Sequence, residues 1–85
     1  MLGKKFTWEQ KQKMLEENMM KNGGVVKSDL SGEILVKPQK SLNGVTPPPN
    51  EWQFDHIKSI FNGGSNSYSN AQIISRLENR TKWFK

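Results

Sequence analysis

The apolar positions of this chain switch spacing along its length, and each switch predicts a different element. Between Thr7 and Asn22, Trp8, Leu15 and Met19 fall on one face at helical spacing, with Glu and Lys elsewhere. The pattern predicts a helix over 7–22. Thr7 followed by Gln10 is a capping-box pattern at its start, and Gly23 after Asn22 is a stop signal. The helix reads as a packing element. Its Lys11 and Lys13 read as a solvated charged face, with a grip on nucleic acid as the alternative. Val25-Val26-Lys27 and Glu33-Ile34-Leu35-Val36 are short β-branched runs around Ser28-Asp29-Leu30-Ser31-Gly32, which predicts a hairpin over 25–36. All four prolines lie between Lys37 and Asn50. Pro47-Pro48-Pro49 cannot join a sheet interior, so 37–50 is expected to run as an extended strap.

From Glu51 the spacing changes again. Glu51-Trp52-Gln53-Phe54-Asp55-His56-Ile57 alternates polar and apolar, as a half-buried strand does. Asn62 to Ser67 contains only Gly, Asn and Ser, which is loop chemistry. Asn70 to Ile74 can be a short return strand. Ser75 with Glu78 is a second capping box, opening a helix to the chain end. The predicted order over 51–85 is strand, long loop, strand, helix, with Leu77 and Phe84 as the core-facing residues of that helix. No internal repeat is visible. The expectation is one small α+β domain over 1–85.

Composition narrows the chemistry. Eighty-five residues, 33% of them apolar, make one domain with a small core. The absence of cysteine excludes disulfides, zinc–thiolate sites and a Cys nucleophile. A single histidine excludes any site needing two His ligands from one chain. No apolar run approaches a membrane span of roughly 18 residues, so no membrane partner is expected. The start, Met1 to Phe6, has charge but no apolar h-region and does not read as a signal peptide. Thirteen Lys and Arg against eight Asp and Glu give a net charge of +5, which favours a polyanionic partner. That excess is local. From Lys58 to Lys85 there are five cations (Lys58, Arg76, Arg80, Lys82, Lys85) and one acid, Glu78.

Three polar residues are placed by this element order to converge: Asp55 and His56 at the end of the first strand, and Asn79 in the final helix. A carboxylate and an amide oxygen are hard ligands that suit Mg²⁺ or Mn²⁺ beside phosphate oxygens. An imidazole can take a proton from an attacking water. Together they are a minimal kit for cutting a phosphodiester. Each piece also has an ordinary reading. Asp beside His is commonly a hydrogen-bonded pair, Asp55 could pair with Lys58 or Arg80, and an Asn in a helix is usually solvated. Consecutive strand residues also point to opposite faces.

The spacing goes further. Asp55-His56-Ile57, Gly63-Gly64, Asn70-Ala71-Gln72 and Glu78-Asn79-Arg80-Thr81-Lys82 together resemble the HNH nuclease motif, in the branch with Asn as its last metal ligand. A wider stretch is similar to C-terminal nuclease domains of bacterial polymorphic toxins. It takes in Asn22-Gly23-Gly24, Ser31-Gly32-Glu33, Gly44-Val45-Thr46-Pro47-Pro48 and Gly64 to Gln72, so the likeness covers roughly 20–85.

The resemblance implies a ββα-metal (His-Me finger) core with a divalent cation, Mg²⁺ before Mn²⁺. It implies that Asp55 and Asn79 are metal ligands and that His56 is the general base. Asn70 would brace the loop and so orient His56. Lys58, Arg76, Arg80 and Lys82 are the cations expected near nucleic acid, where they would neutralise phosphates. Trp83 could stack on bases. DNA is the expected substrate and RNA the alternative, with little sequence specificity. The resemblance further implies a delivered effector acting in a target bacterium, held in check by an immunity protein with an acidic surface. A catalytically silent binding or interaction module on the same fold is the alternative. One departure stands out: the family usually has proline where this chain has Ser59, which is expected to loosen the loop, with Phe61 available to refill the space.

Overall fold

The computed structural model describes residues 5–40 and 42–83; Phe84 and Lys85, and the expectations placed on them, lie outside these. Helix α1 spans Trp8–Lys21 and is opened by the expected box, with Gln10 N–H donating to Thr7 Oγ1 at 3.1 Å and Thr7 N–H to Gln10 Oε1 at 2.8 Å. Asn22 closes it, and Gly23 follows at φ +70°. The buried face of α1 consists of Met14 and Asn18, with Leu15 and Met19 packed at its edges. Trp8 is not part of it: the indole is 73% exposed. Phe6, one residue before the cap, is the aromatic that enters the core instead.

The expected hairpin over 25–36 is reduced to one antiparallel bridge, Lys27 with Ile34, around the turn at Gly32. The prolines separate Val36 from Glu51, which pair in parallel through Val36 N–H to Asn50 O and Trp52 N–H to Val36 O, both 3.0 Å. The end of the strap has a structural use. Pro49 O accepts from Leu77 N–H at 3.0 Å and Glu51 O from Arg76 N–H at 2.9 Å, satisfying donors that a helix N-terminus leaves open.

Strands β1 (Trp52–His56) and β2 (Ala71–Ser75) form a two-stranded antiparallel sheet, with Phe54 opposite Ile73 and His56 opposite Ala71. Helix α2 (Arg76–Trp83) follows β2 directly and packs on both strands. Its box is complete: Glu78 N–H donates to Ser75 Oγ at 3.0 Å and Ser75 N–H to Glu78 Oε1 at 2.8 Å. The fold is therefore a small α+β arrangement of two helices on one antiparallel pair. The core of Phe6, Met14, Val26, Leu35 and Ile73 lies between α1, the turn region and the sheet.

Candidate functional site

Strand β1 alternates, and its two sets of side chains meet different partners. Trp52 and Phe54 pack on the core, and His56 stacks on Phe6. Gln53 and Asp55 meet α2. The helix presents Glu78, Asn79 and Lys82 inward, at i, i+1 and i+4, so a polar stripe docks on the sheet. Leu77, expected in the core, is 57% exposed.

Asp55 is buried at 5% exposure. Its Oδ2 accepts from Gln72 Nε2 at 2.8 Å and from the Lys82 ammonium at 2.6 Å. The same ammonium donates to the main-chain carbonyls of His56 at 2.5 Å and Ile57 at 3.2 Å. Lys82 is thus turned inward and is the partner of Asp55, in place of Lys58 or Arg80. Asn79 donates from Nδ2 to Gln53 Oε1 at 2.7 Å. His56 Nε2 lies 2.8 Å from Asn66 Oδ1, and its ring stacks on Phe6 with centroids 4.0 Å apart and planes at 18°.

The loop between the strands is fastened by Asn70. Its Nδ2 donates to the carbonyls of Lys58 at 2.8 Å and Ser65 at 2.7 Å, while its Oδ1 accepts from Lys58 N–H at 2.8 Å. Ser59 sits at φ −60°, a value a proline ring also takes, and its Oγ accepts from Asn62 N–H at 3.1 Å. Its carbonyl accepts from Gly64 N–H at 2.8 Å. Gly64 permits this closure, since a Cβ there would meet Lys58 O at 1.9 Å. The serine therefore caps the turn that the absent proline was expected to stiffen. Phe61 does not refill the space; it is 74% exposed.

Asp55, His56 and Asn79 all line one open cleft of about 720 Å³, with Trp52, Phe54 and Lys11 among the other walls. Sequence reasoning set Lys11 aside as solvated, yet its ammonium lies 5.6 Å from the Phe54 ring centroid, within cation–π reach. Phe6, Gln10 and Asn66 were also missed. Their only signal was the capping box, which gave no hint that Gln10 reaches across 56 residues to Asn66. Lys58 and Arg80 are exposed and Arg76 is half-buried.

Glu78 has its acidity shifted. Desolvation by burial pushes its pKa up, but hydrogen bonds from Ser28, the Ser75 main chain, Ser31 and Ser75 Oγ outweigh it and hold the carboxyl below its usual range.

Among the described residues no group of three or more His, Cys, Asp or Glu is placed to hold a metal ion. The candidate pair here is of another kind, one carboxylate and one amide. Beside Asp55 the positive charge is that of Lys82, held by a buried carboxylate oxygen and two carbonyls. Hard oxygens of this type suit Mg²⁺ or Mn²⁺. No helix among the described residues is long and apolar enough to cross a membrane. No protein-family model, no curated protein and no solved structure matches this chain.

Proposed function

We propose that this domain is a divalent-metal-dependent endonuclease of the HNH, ββα-metal type that cuts phosphodiester bonds in DNA. The observation that carries the proposal is that Asp55, His56 and Asn79, each with partners of its own, all line one cleft beside a loop fastened by Asn70. In this reading Asp55 and Asn79 would hold the cation, which when bound supplies charge to the scissile phosphate and leaving oxygen. His56 takes the proton of the attacking water. Asn70 keeps the chain at Lys58 and Ser65 in place, so the strand end carrying His56 does not drift. Lys58, Arg76 and Arg80 neutralise neighbouring phosphates, and no base-reading helix accompanies them among the described residues, which favours cleavage of low specificity. Lys82 has to share or release Asp55 before it joins them. The resemblance to polymorphic toxin domains adds a proposed setting, a delivered bacterial effector with an immunity partner whose acidic surface suits the charge of +5.

One contact favours a second reading. With Asp55 already paired to Lys82, a catalytically silent nucleic-acid-binding module on the same fold needs no cation at all. Supercoiled plasmid incubated in Mg²⁺, Mn²⁺ or EDTA separates the two. The nuclease reading expects metal-dependent nicking that His56→Ala lowers by about 10²–10⁴-fold. Salt-sensitive binding without nicking in any metal would overturn it.

A further inference from the structure

The imidazole of His56 is held by residues to which the phosphodiester chemistry assigns no part. Phe6, buried at 6% exposure, lies flat against the ring. On the ring edge, Nε2 faces Asn66 Oδ1 at 2.8 Å. Which atom Asn66 offers is settled by a chain of contacts anchored on the main chain. Thr7 N–H can only donate, so the Gln10 atom 2.8 Å away is its oxygen. The other terminal atom of Gln10 is then Nε2, and it donates to the main-chain carbonyl of Asn66 at 2.9 Å. With Gln10 fixed from both ends, its oxygen faces Asn66 Nδ2 at 3.5 Å, and Asn66 turns its own oxygen to the histidine. A carbonyl oxygen only accepts. Nε2 therefore carries a ring hydrogen, and in the neutral ring Nδ1 keeps the lone pair.

We propose that Phe6, Gln10 and Asn66 form a positioning clamp that fixes the ring plane of His56 and its Nε2–H tautomer, leaving Nδ1 as the proton-accepting atom. The catalytic half of this inference rests on the nuclease reading; the tautomer does not. The helix cap of α1 thereby acquires a second role, because the Gln10 side chain that closes the box also anchors the loop residue that orients the base. None of the three is a catalytic residue, since each acts through His56.

The single histidine of the chain makes the test direct, because one set of ring signals belongs to one residue. Protein labelled with ¹⁵N-histidine is examined in alkaline buffer, where an ordinary imidazole is neutral. The wild type is expected to show a protonated-type shift for Nε2 and a lone-pair shift for Nδ1. Asn66→Ala moves both towards averaged values, and Asn66→Asp, whose carboxylate only accepts, restores the split. Gln10→Glu keeps an acceptor for Thr7 N–H and loses the donor to Asn66 O, so α1 stays capped while the split narrows. On plasmid, Asn66→Ala lowers kcat by about 10–100-fold with KM changed little, as expected for a mispositioned group. Thermal melting confirms that each variant is folded. A wild-type ring protonated on Nδ1, or an Asn66→Ala spectrum identical to wild type, overturns the clamp. Unchanged kcat in Asn66→Ala, with the tautomer released, overturns its role in positioning. If the wild type cuts nothing in any metal, the nuclease reading fails, and the spectra alone still decide the clamp.

Discussion

Residues 51–83 and residues 5–50 are held together by different kinds of bond. In the first region a backbone ladder joins β1 to β2 at five paired positions, and α2 continues from its end. The second has a helix and one isolated bridge, Lys27 with Ile34; a second bridge joins Val36 to Glu51 of the first region, and side chains stand in for the missing ladder. Buried Asn18 accepts from Lys27 N–H at 2.9 Å and donates to Lys27 O at 2.8 Å, as a neighbouring strand would. Asp29 accepts from Ile73 N–H through Oδ2 at 2.7 Å and donates its own N–H to Ile73 O at 2.8 Å, which closes the outer edge of β2. Ser28 Oγ donates to Glu78 at 2.6 Å and joins the turn to α2.

The difference teaches where each contribution comes from. The ladder region carries Asp55, His56, Asn70 and Asn79, while four of the six buried core hydrophobics among the described residues (Phe6, Met14, Val26 and Leu35) come from the other. Neither region buries enough on its own, so they should fold as one unit.

The largest test of that comparison is Ile73→Ala. Ile73 is 1% exposed and lies where both regions meet. The substitution should cost about 2–5 kcal/mol in urea unfolding. Helix and sheet signals should be lost together; two separate transitions would break the claim of one unit. Next comes Gly64→Ala, whose methyl would collide with Lys58 O at 1.9 Å. About 1–3 kcal/mol should be lost, with amide exchange rising in the loop between β1 and β2 more than in α1. Equal exchange in both would deny the loop its separate closure.

Acid should act through Glu78, whose bond from Ser28 is one of the links between the regions. Because its folded pKa is lowered, the stability it contributes is complete above the unfolded value and is lost as pH falls through the folded one. Glu78→Gln should therefore flatten the loss of stability below the usual carboxylate range, and an unchanged acid profile would contradict the assignment. The smallest effect belongs to Trp8→Ala. At 73% exposure the indole should be worth no more than about 0.5 kcal/mol in thermal melts, whereas a core residue would cost several times that.

Legibility followed the same division. Both capping boxes and the strand–loop–strand–helix order follow from residue types close in sequence, because caps and turns are satisfied within a few residues. The loop-bracing reach of Asn70 to Lys58 was implied only by the HNH resemblance. The hairpin was overestimated, since β-branched runs signal strand tendency without saying how much main chain will pair. Trp8 and Leu77 were misplaced because helical spacing identifies a face but not what the face docks against. At Trp8 the space went to Phe6, and at Leu77 the helix turned its polar stripe to the sheet.

The sequence by itself determined the local elements, the absence of cysteine and multi-histidine chemistry, and the concentration of positive charge after Lys58. Only the tertiary structure decided that Lys82 belongs to Asp55, that Ser28 shares Glu78, and that Phe6 and Gln10 reach His56 and its loop. Those pairings span from 27 to 56 positions. At such separations no residue type selects its partner; the docking of α1 and α2 on a two-stranded sheet does, because burial leaves each polar group only the few partners that packing brings within reach.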